Sequence, residues 1–123
     1  MVVADYVFDK EMIYAKRTLD AAQLAQYTRY HSAVASSIAQ PVLVVYLTES
    51  PKKCLDRIHR RNRPYEQRIE LDTLKNLADD YEKLFADWPR SPLIRLGADR
   101  FNCLDAGDVR KLADEVKCYS ATS

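Results

Sequence analysis

Glycine is nearly missing from this chain: two in 123 residues, Gly97 and Gly107. A loop that wraps its backbone around a phosphate needs glycines at its tight turns, so these residues cannot build one. Cysteine is sparse and odd in number, Cys54, Cys103 and Cys118, with no C-x-x-C pair, and the two histidines, His31 and His59, stand far apart. That pattern offers no metal site and reads as reduced thiols of a cytoplasmic protein. No apolar run nears the roughly 18 residues of a membrane span, and no signal peptide precedes the first apolar segment. Charge of one sign is lacking as well: 19 basic against 18 acidic residues leave +1. The chain as a whole therefore has no reason to seek nucleic acid or an anionic membrane. What is present, 47% hydrophobic and 30% charged residues, is the composition of an ordinary globular chain of one domain at most.

The first segment, MVVADY, reads as an apolar strand that closes on Asp5. DKEMIYAKRTL follows with helical character and no breaker. In LDAAQLAQYTRYHSAVASSIAQ, residues Leu24, Tyr27, His31, Val34 and Ile38 recur every three or four positions, the stripe of a helix that Asp20 caps and Pro41 ends. VLVVYL, Val42 to Leu47, is apolar on both parities, as suits a parallel strand covered on both faces. Ser50 and Pro51 then mark a helix start, with Leu55 and Ile58 inward and Arg57 and Arg61 sharing another face. RPYEQRIE is a polar loop. Leu71, Leu74, Leu77, Tyr81, Leu84, Phe85 and Trp88 form the clearest helical stripe of the chain. SPLIRL reads as a strand, GADRFN as a turn, and DAGDVRKLADEVKCY as a last helix with Val109, Leu112 and Val116 inward. This alternation predicts an α/β fold whose parallel sheet has about three strands, half of a doubly wound one.

Against the neutral background, Arg57 to Arg68 gathers five arginines around a single acid, Glu66. A guanidinium is a planar fork of donors that matches phosphate oxygens and stays charged at physiological pH. Arginines at a helix end and in the loop beyond it can close over a polyphosphate, while Glu66 accepts a hydroxyl from a second substrate. The plainer reading is a solvated helix terminus whose arginines meet the macrodipole. A nucleic-acid patch has less behind it, since no recognised motif accompanies the charge.

CLDRIHRRNRPYEQ followed by an amphipathic helix resembles the lid of the deoxynucleoside kinases, the deoxycytidine, deoxyadenosine and deoxyguanosine kinase group. Their lid runs approximately R-x-x-x-R-G-R-x-x-E; Arg57, Arg61, Arg63 and Glu66 stand at those spacings, with Asn62 where the glycine is usual. DYVFDKEMIYA and VLVVYL run in register as supporting segments, so that the resemblance covers nearly all of the chain. It implies a partial P-loop-kinase-like sheet flanked by helices, and a protein that uses ATP and Mg2+ to phosphorylate a deoxynucleoside. Arg57, Arg61 and Arg63 would then contact phosphates, and Glu66 the deoxyribose hydroxyl. Tyr14 falls where the family stacks a ring on the base, although a core tyrosine fits the helix as well. Asp5 ends its apolar segment where a carboxylate could serve magnesium through water, or could instead cap the next helix. Asp99, Arg100 and Phe101 lie in LGADRFN, which matches the adenine-binding loop in position. Lys10 replaces an aspartate that helps several members read the base, so base preference does not carry over.

The resemblance also implies a strand, a G-x-x-x-x-G-K-[ST] loop and a catalytic glutamate upstream of the position of Met1. Residues 1–123 are thus expected to be the C-terminal, lid-containing part of a kinase domain, inactive alone, with a sheet edge and core surface left to pair with a second copy through the helices. Two other readings stay open. A thymidylate-kinase-like nucleotide kinase shares the fold and an arginine-rich lid. A non-catalytic binding or assembly module would use the helices of residues 10–39.

Overall fold

The computed structural model describes residues 2–5 and 7–121. Its spine is a pair of parallel strands, β1 (Val44–Thr48) and β2 (Leu93–Gly97), in register from Val44 opposite Leu93 to Thr48 opposite Gly97. The connection between them is helical: α3 (Pro51–Arg61), a single 3₁₀ turn (Pro64–Glu66) and α4 (Leu71–Ala86). Ahead of the sheet come α1 (Lys10–Thr18) and α2 (Ala21–Ala35), and behind it α5 (Ala106–Ala121). The expected α/β architecture with a parallel sheet is therefore present.

Local chemistry explains the boundaries. The Asp20 carboxylate accepts from the Gln23 N–H at 2.8 Å while the Gln23 side chain accepts from the Asp20 N–H at 3.1 Å, a reciprocal cap for α2. α2 ends at Ala35, short of Pro41, because Ser37 bonds the Val34 carbonyl with both its amide and its hydroxyl and so diverts the backbone. Ser50 caps α3 through the Lys53 N–H, with Pro51 at the first helical position.

α4 lies across one face of the sheet. Successive strand residues alternate faces, so Val44, Tyr46 and Thr48 share that side with Leu93 and Arg95. Tyr46 packs on Phe85 of α4 at 4.7 Å between ring centroids, and the cluster continues through Tyr81 and Trp88. Glu82 takes both the Arg95 guanidinium and the Tyr46 hydroxyl. The buried core of the described residues is small: Ile13, Ala15, Val44 and Phe85.

Four expectations need correction. Residues 2–4 form no strand and Asp5 sits in a bend; Val2 and Val3 are exposed, no third strand pairs with the sheet among the described residues, and Met1 lies outside them. An apolar run without a pairing partner stays out of a ladder, whatever its β propensity. β1 is not covered on both faces, since Leu47, on the side away from α4, is 61% exposed. No residue of α2 is buried and Ile38 is exposed beyond its end, so the stripe has no full partner. Val109 of α5 is exposed rather than inward.

All of this shows in the area. The molecule exposes 9419 Å², whereas a compact monomer of 14.2 kDa would expose about 6,800 Å². No helix of the described residues is long and apolar enough to cross a membrane.

Candidate functional site

The arginine stretch owes its shape to one residue. Asn62 ends α3 in the left-handed region, φ 54° and ψ 41°, with its N–H shared between the carbonyls of Ile58 and His59. Glycine is the usual occupant of such a position and asparagine the side chain that tolerates it best. The chain there turns back into the 3₁₀ turn, whose bonds from Glu66 N–H to the Arg63 carbonyl and from Ile69 N–H to the Glu66 carbonyl bring Glu66 beneath the end of α3.

Each arginine of the pattern has its own partner. Arg61 forks onto Glu66, Nε to Oε1 at 3.2 Å and Nη2 to Oε2 at 2.5 Å. Arg57, one turn earlier on the same face, reaches back to Glu49 at 2.9 Å. Arg63 donates to the Tyr65 hydroxyl at 3.3 Å. The three guanidiniums are thus held by three different groups along one helix end and the loop below it, and all three arginines are exposed. Cys54 lies on the same helix between these charges. Burial pushes its thiol pKa up, the Glu49 carboxylate adds to that, and Arg57 opposes it.

The sheet places a second group of candidates beyond the carboxyl ends of its strands. The Ala98 N–H bonds the Thr48 carbonyl at 2.9 Å across the carboxyl ends of the two strands. The turn then closes with the amides of Arg100 and Phe101 both on the Gly97 carbonyl at 3.0 Å, which fixes Asp99, Arg100 and Phe101 just beyond β2. A Cβ at Gly97 would meet the Asp99 carboxylate, which packs over the glycine and would have to swing aside. Glu49 and α3 leave β1 at the same level. In open parallel sheets this carboxyl edge is where ligands bind.

Tyr14 and Asp5 lie elsewhere. The Tyr14 ring is half exposed on α1 and its hydroxyl is 3.2 Å from that of Tyr81 on α4. Burial raises the Tyr81 phenol pKa first and the bond to Tyr14 raises it further. One turn on, Arg17 pairs with Asp80 and bonds the Asn76 carbonyl, which fastens α1 to α4. By helix rise, Tyr81 is about 15 Å along α4 from the end where the lid enters, so Tyr14 stands apart from Glu66. Asp5 is exposed and does not cap α1, whose N-cap is Asp9. No group of three or more metal-ligating side chains is assembled among the described residues.

The model of the deoxynucleoside kinase family matches residues 1–119. The chain belongs to the deoxynucleoside kinase family. It is 32% identical over 121 residues to a deoxyguanosine kinase of Bacillus subtilis, a match that covers 94% of this chain and 58% of that protein. A deoxyadenosine kinase of Dictyostelium discoideum is 32% identical over 101 residues, 81% of this chain and 41% of the relative. A mitochondrial deoxyguanosine kinase of Xenopus laevis is 29% identical over 80 residues, 63% of this chain and 30% of the relative. The chain thus spans about half the length, or less, of these relatives.

Membership in the deoxynucleoside kinases favours a nucleoside kinase over a thymidylate-kinase-like relative. Sequence reasoning missed Glu49. The available signal was its place, an acid directly between an apolar strand and a Ser-Pro helix start, with Arg57 two turns further along.

Proposed function

We propose that this chain supplies the lid of an ATP-dependent deoxynucleoside kinase, which in the intact protein moves the γ-phosphoryl group of ATP to the 5′-hydroxyl of a deoxynucleoside. The observation that carries this reading is the arginine segment itself, with Arg57, Arg61, Arg63 and Glu66 arranged along the last turns of α3 and around the Asn62 turn. Arg57, Arg61 and Arg63 take phosphate oxygens, and their positive field stabilises charge on the group in transfer, an effect worth on the order of 10³-fold in rate. As the 5′-oxygen bonds to phosphorus, the bond to the ADP oxygen breaks. The proton released from the hydroxyl goes to a base that none of these residues supplies. Glu66 accepts from the deoxyribose hydroxyl, which requires it to share or release Arg61. Asp99, Arg100 and Phe101 bind adenine, largely through backbone groups, and Tyr14 stacks on the acceptor base.

The arginine forks fit the polyphosphate of ATP. Magnesium is another matter: among the described residues no group of three or more ligating side chains gathers at Asp5 or elsewhere, so these residues do not fit the ion. The relatives' names make deoxyguanosine and deoxyadenosine the first acceptors to assay. The half-covered helices α1 and α2 are the surface through which two copies would associate, in the cytoplasm, with neither nucleic acid nor membrane as a partner.

The test is phosphoryl transfer from ATP to each deoxynucleoside, measured for the chain alone and with the part of the Bacillus subtilis relative that it does not cover. No turnover is expected alone. Turnover that appears on mixing and is lost with Arg61→Gln supports the lid assignment; turnover indifferent to Arg61 removes it.

A further inference from the structure

We propose that Glu49 is the resting partner of the lid, a carboxylate that holds Arg57 in an ion pair which a phosphate group must displace and that thereby sets the phosphate affinity of this end of α3. This rests on the reading of Arg57 as a phosphate ligand.

The geometry is that of a fixed acceptor and an exchangeable donor. Glu49 is only 13% exposed in its side chain, and its Oε1 is held by the N–H of Ser50 at 3.1 Å, which leaves Oε2 for Arg57 at 2.9 Å. Arg57 is 64% exposed and makes a single contact through Nη2, so most of its donor fork is free to engage something else. A half-exposed, single-contact pair is weak, whereas a phosphate offers the guanidinium two oxygens and more than one negative charge. The position is also right. Glu49 leaves β1 directly after Thr48, whose carbonyl holds the turn that carries Asp99, Arg100 and Phe101. The contact lies at the candidate nucleotide edge and not on a remote surface. Glu66 differs, because its fork with Arg61 lies within the lid and it has a role of its own toward the sugar.

The experiment titrates inorganic tripolyphosphate into the full chain at fixed, low ionic strength, by calorimetry, for the wild type, Glu49→Gln, Arg57→Gln and the double variant, with thermal melts to confirm folding. Arg57→Gln is expected to weaken binding about fivefold, and Glu49→Gln to tighten it by about threefold to tenfold. In the double variant the gain from Glu49→Gln should vanish, since its effect is exerted through Arg57. If Glu49→Gln tightens binding equally without Arg57, general charge removal is the cause and the proposal falls. If Arg57→Gln weakens binding but Glu49→Gln changes nothing, Glu49 is not the restraint although the phosphate reading stands. If Arg57→Gln changes nothing, or no variant binds, the phosphate reading of Arg57 fails and takes the proposal with it. Cys54 gives a second readout in a Cys103→Ser/Cys118→Ser background: its alkylation should speed up in Glu49→Gln, and in the Glu49-containing protein slow down when tripolyphosphate draws Arg57 away.

Discussion

Two sets of arginines in this molecule use the same chemistry for opposite ends. Arg17, Arg90 and Arg95 pair with Asp80, Asp9 and Glu82, joining α1 to α4, the approach to β2 to the start of α1, and β2 to α4. Their partners are remote in sequence, and two of these arginines also lie over rings, Arg90 on Trp88 and Arg95 on Tyr46. Arg57, Arg61 and Arg63 pair with Glu49, Glu66 and Tyr65, all within the same helix-turn segment. Contacts of the first set join separate elements, whereas those of the second lie within one segment and hold a side chain rather than an element. A site that must release its charges to a ligand is better built from the second kind.

The largest expected effect tests that difference at the lid. In the complemented kinase, Arg61→Gln should lower kcat/KM by on the order of 10²-fold or more, while the melting behaviour of the chain changes by no more than about 1 kcal/mol. A matching collapse of stability would show that the lid pairs fasten the fold as the others do. Asn62 comes next. Replacing it with valine, which resists positive φ, should cost about 1–2 kcal/mol in urea melts and detach Glu66 from Arg61, whereas Asn62→Gly should stay within about 0.5 kcal/mol of the parent. Arg17→Met belongs to the other set: a loss of roughly 1 kcal/mol, with tripolyphosphate affinity unchanged. An altered affinity with intact stability would put Arg17 in the wrong class.

The smallest effect concerns Tyr46, which Arg95 covers. Its phenol is pushed up to about 12, first by burial and then by the Glu82 carboxylate, from an ordinary value of 10.0. The unfolded chain loses that proton first, so stability should fall as pH rises from about 10 toward 12 and this contribution should be gone above the folded value. Tyr46→Phe should flatten that part of the pH profile of the urea midpoint; an unchanged slope would mean that other groups set it.

The sequence made the local elements legible because their signals are local. The Asp20–Gln23 cap, the Ser50–Pro51 start and the stripe of α4 each depend on residues within one or two turns. The arginine segment could be picked out from spacing for the same reason, as Arg57, Arg61, Arg63 and Glu66 occupy one short stretch. What failed depended on partners. MVVAD has the composition of a strand, yet nothing among the described residues pairs with it, and the α2 stripe and Leu47 have the composition of core without a surface to cover them. Glu49 was missed because only folding places Arg57 against it, and the separation of Tyr14 from the lid follows from the antiparallel seating of α1 on α4, which no spacing encodes.

The parallel pairing of Val44 with Leu93 also has a meaning in time. The two strands stand about fifty residues apart, and the whole lid lies between them. Contacts across such a span form late, because the chain entropy of closing the loop must be overcome before the ladder gives anything back. The Asn62 turn and the pair of Arg61 with Glu66 need only their own few residues. During synthesis α3, its turn and α4 emerge before β2 exists to close the sheet, so the arginine segment is expected to take its shape first and the carboxyl edge of the sheet to be assembled afterwards.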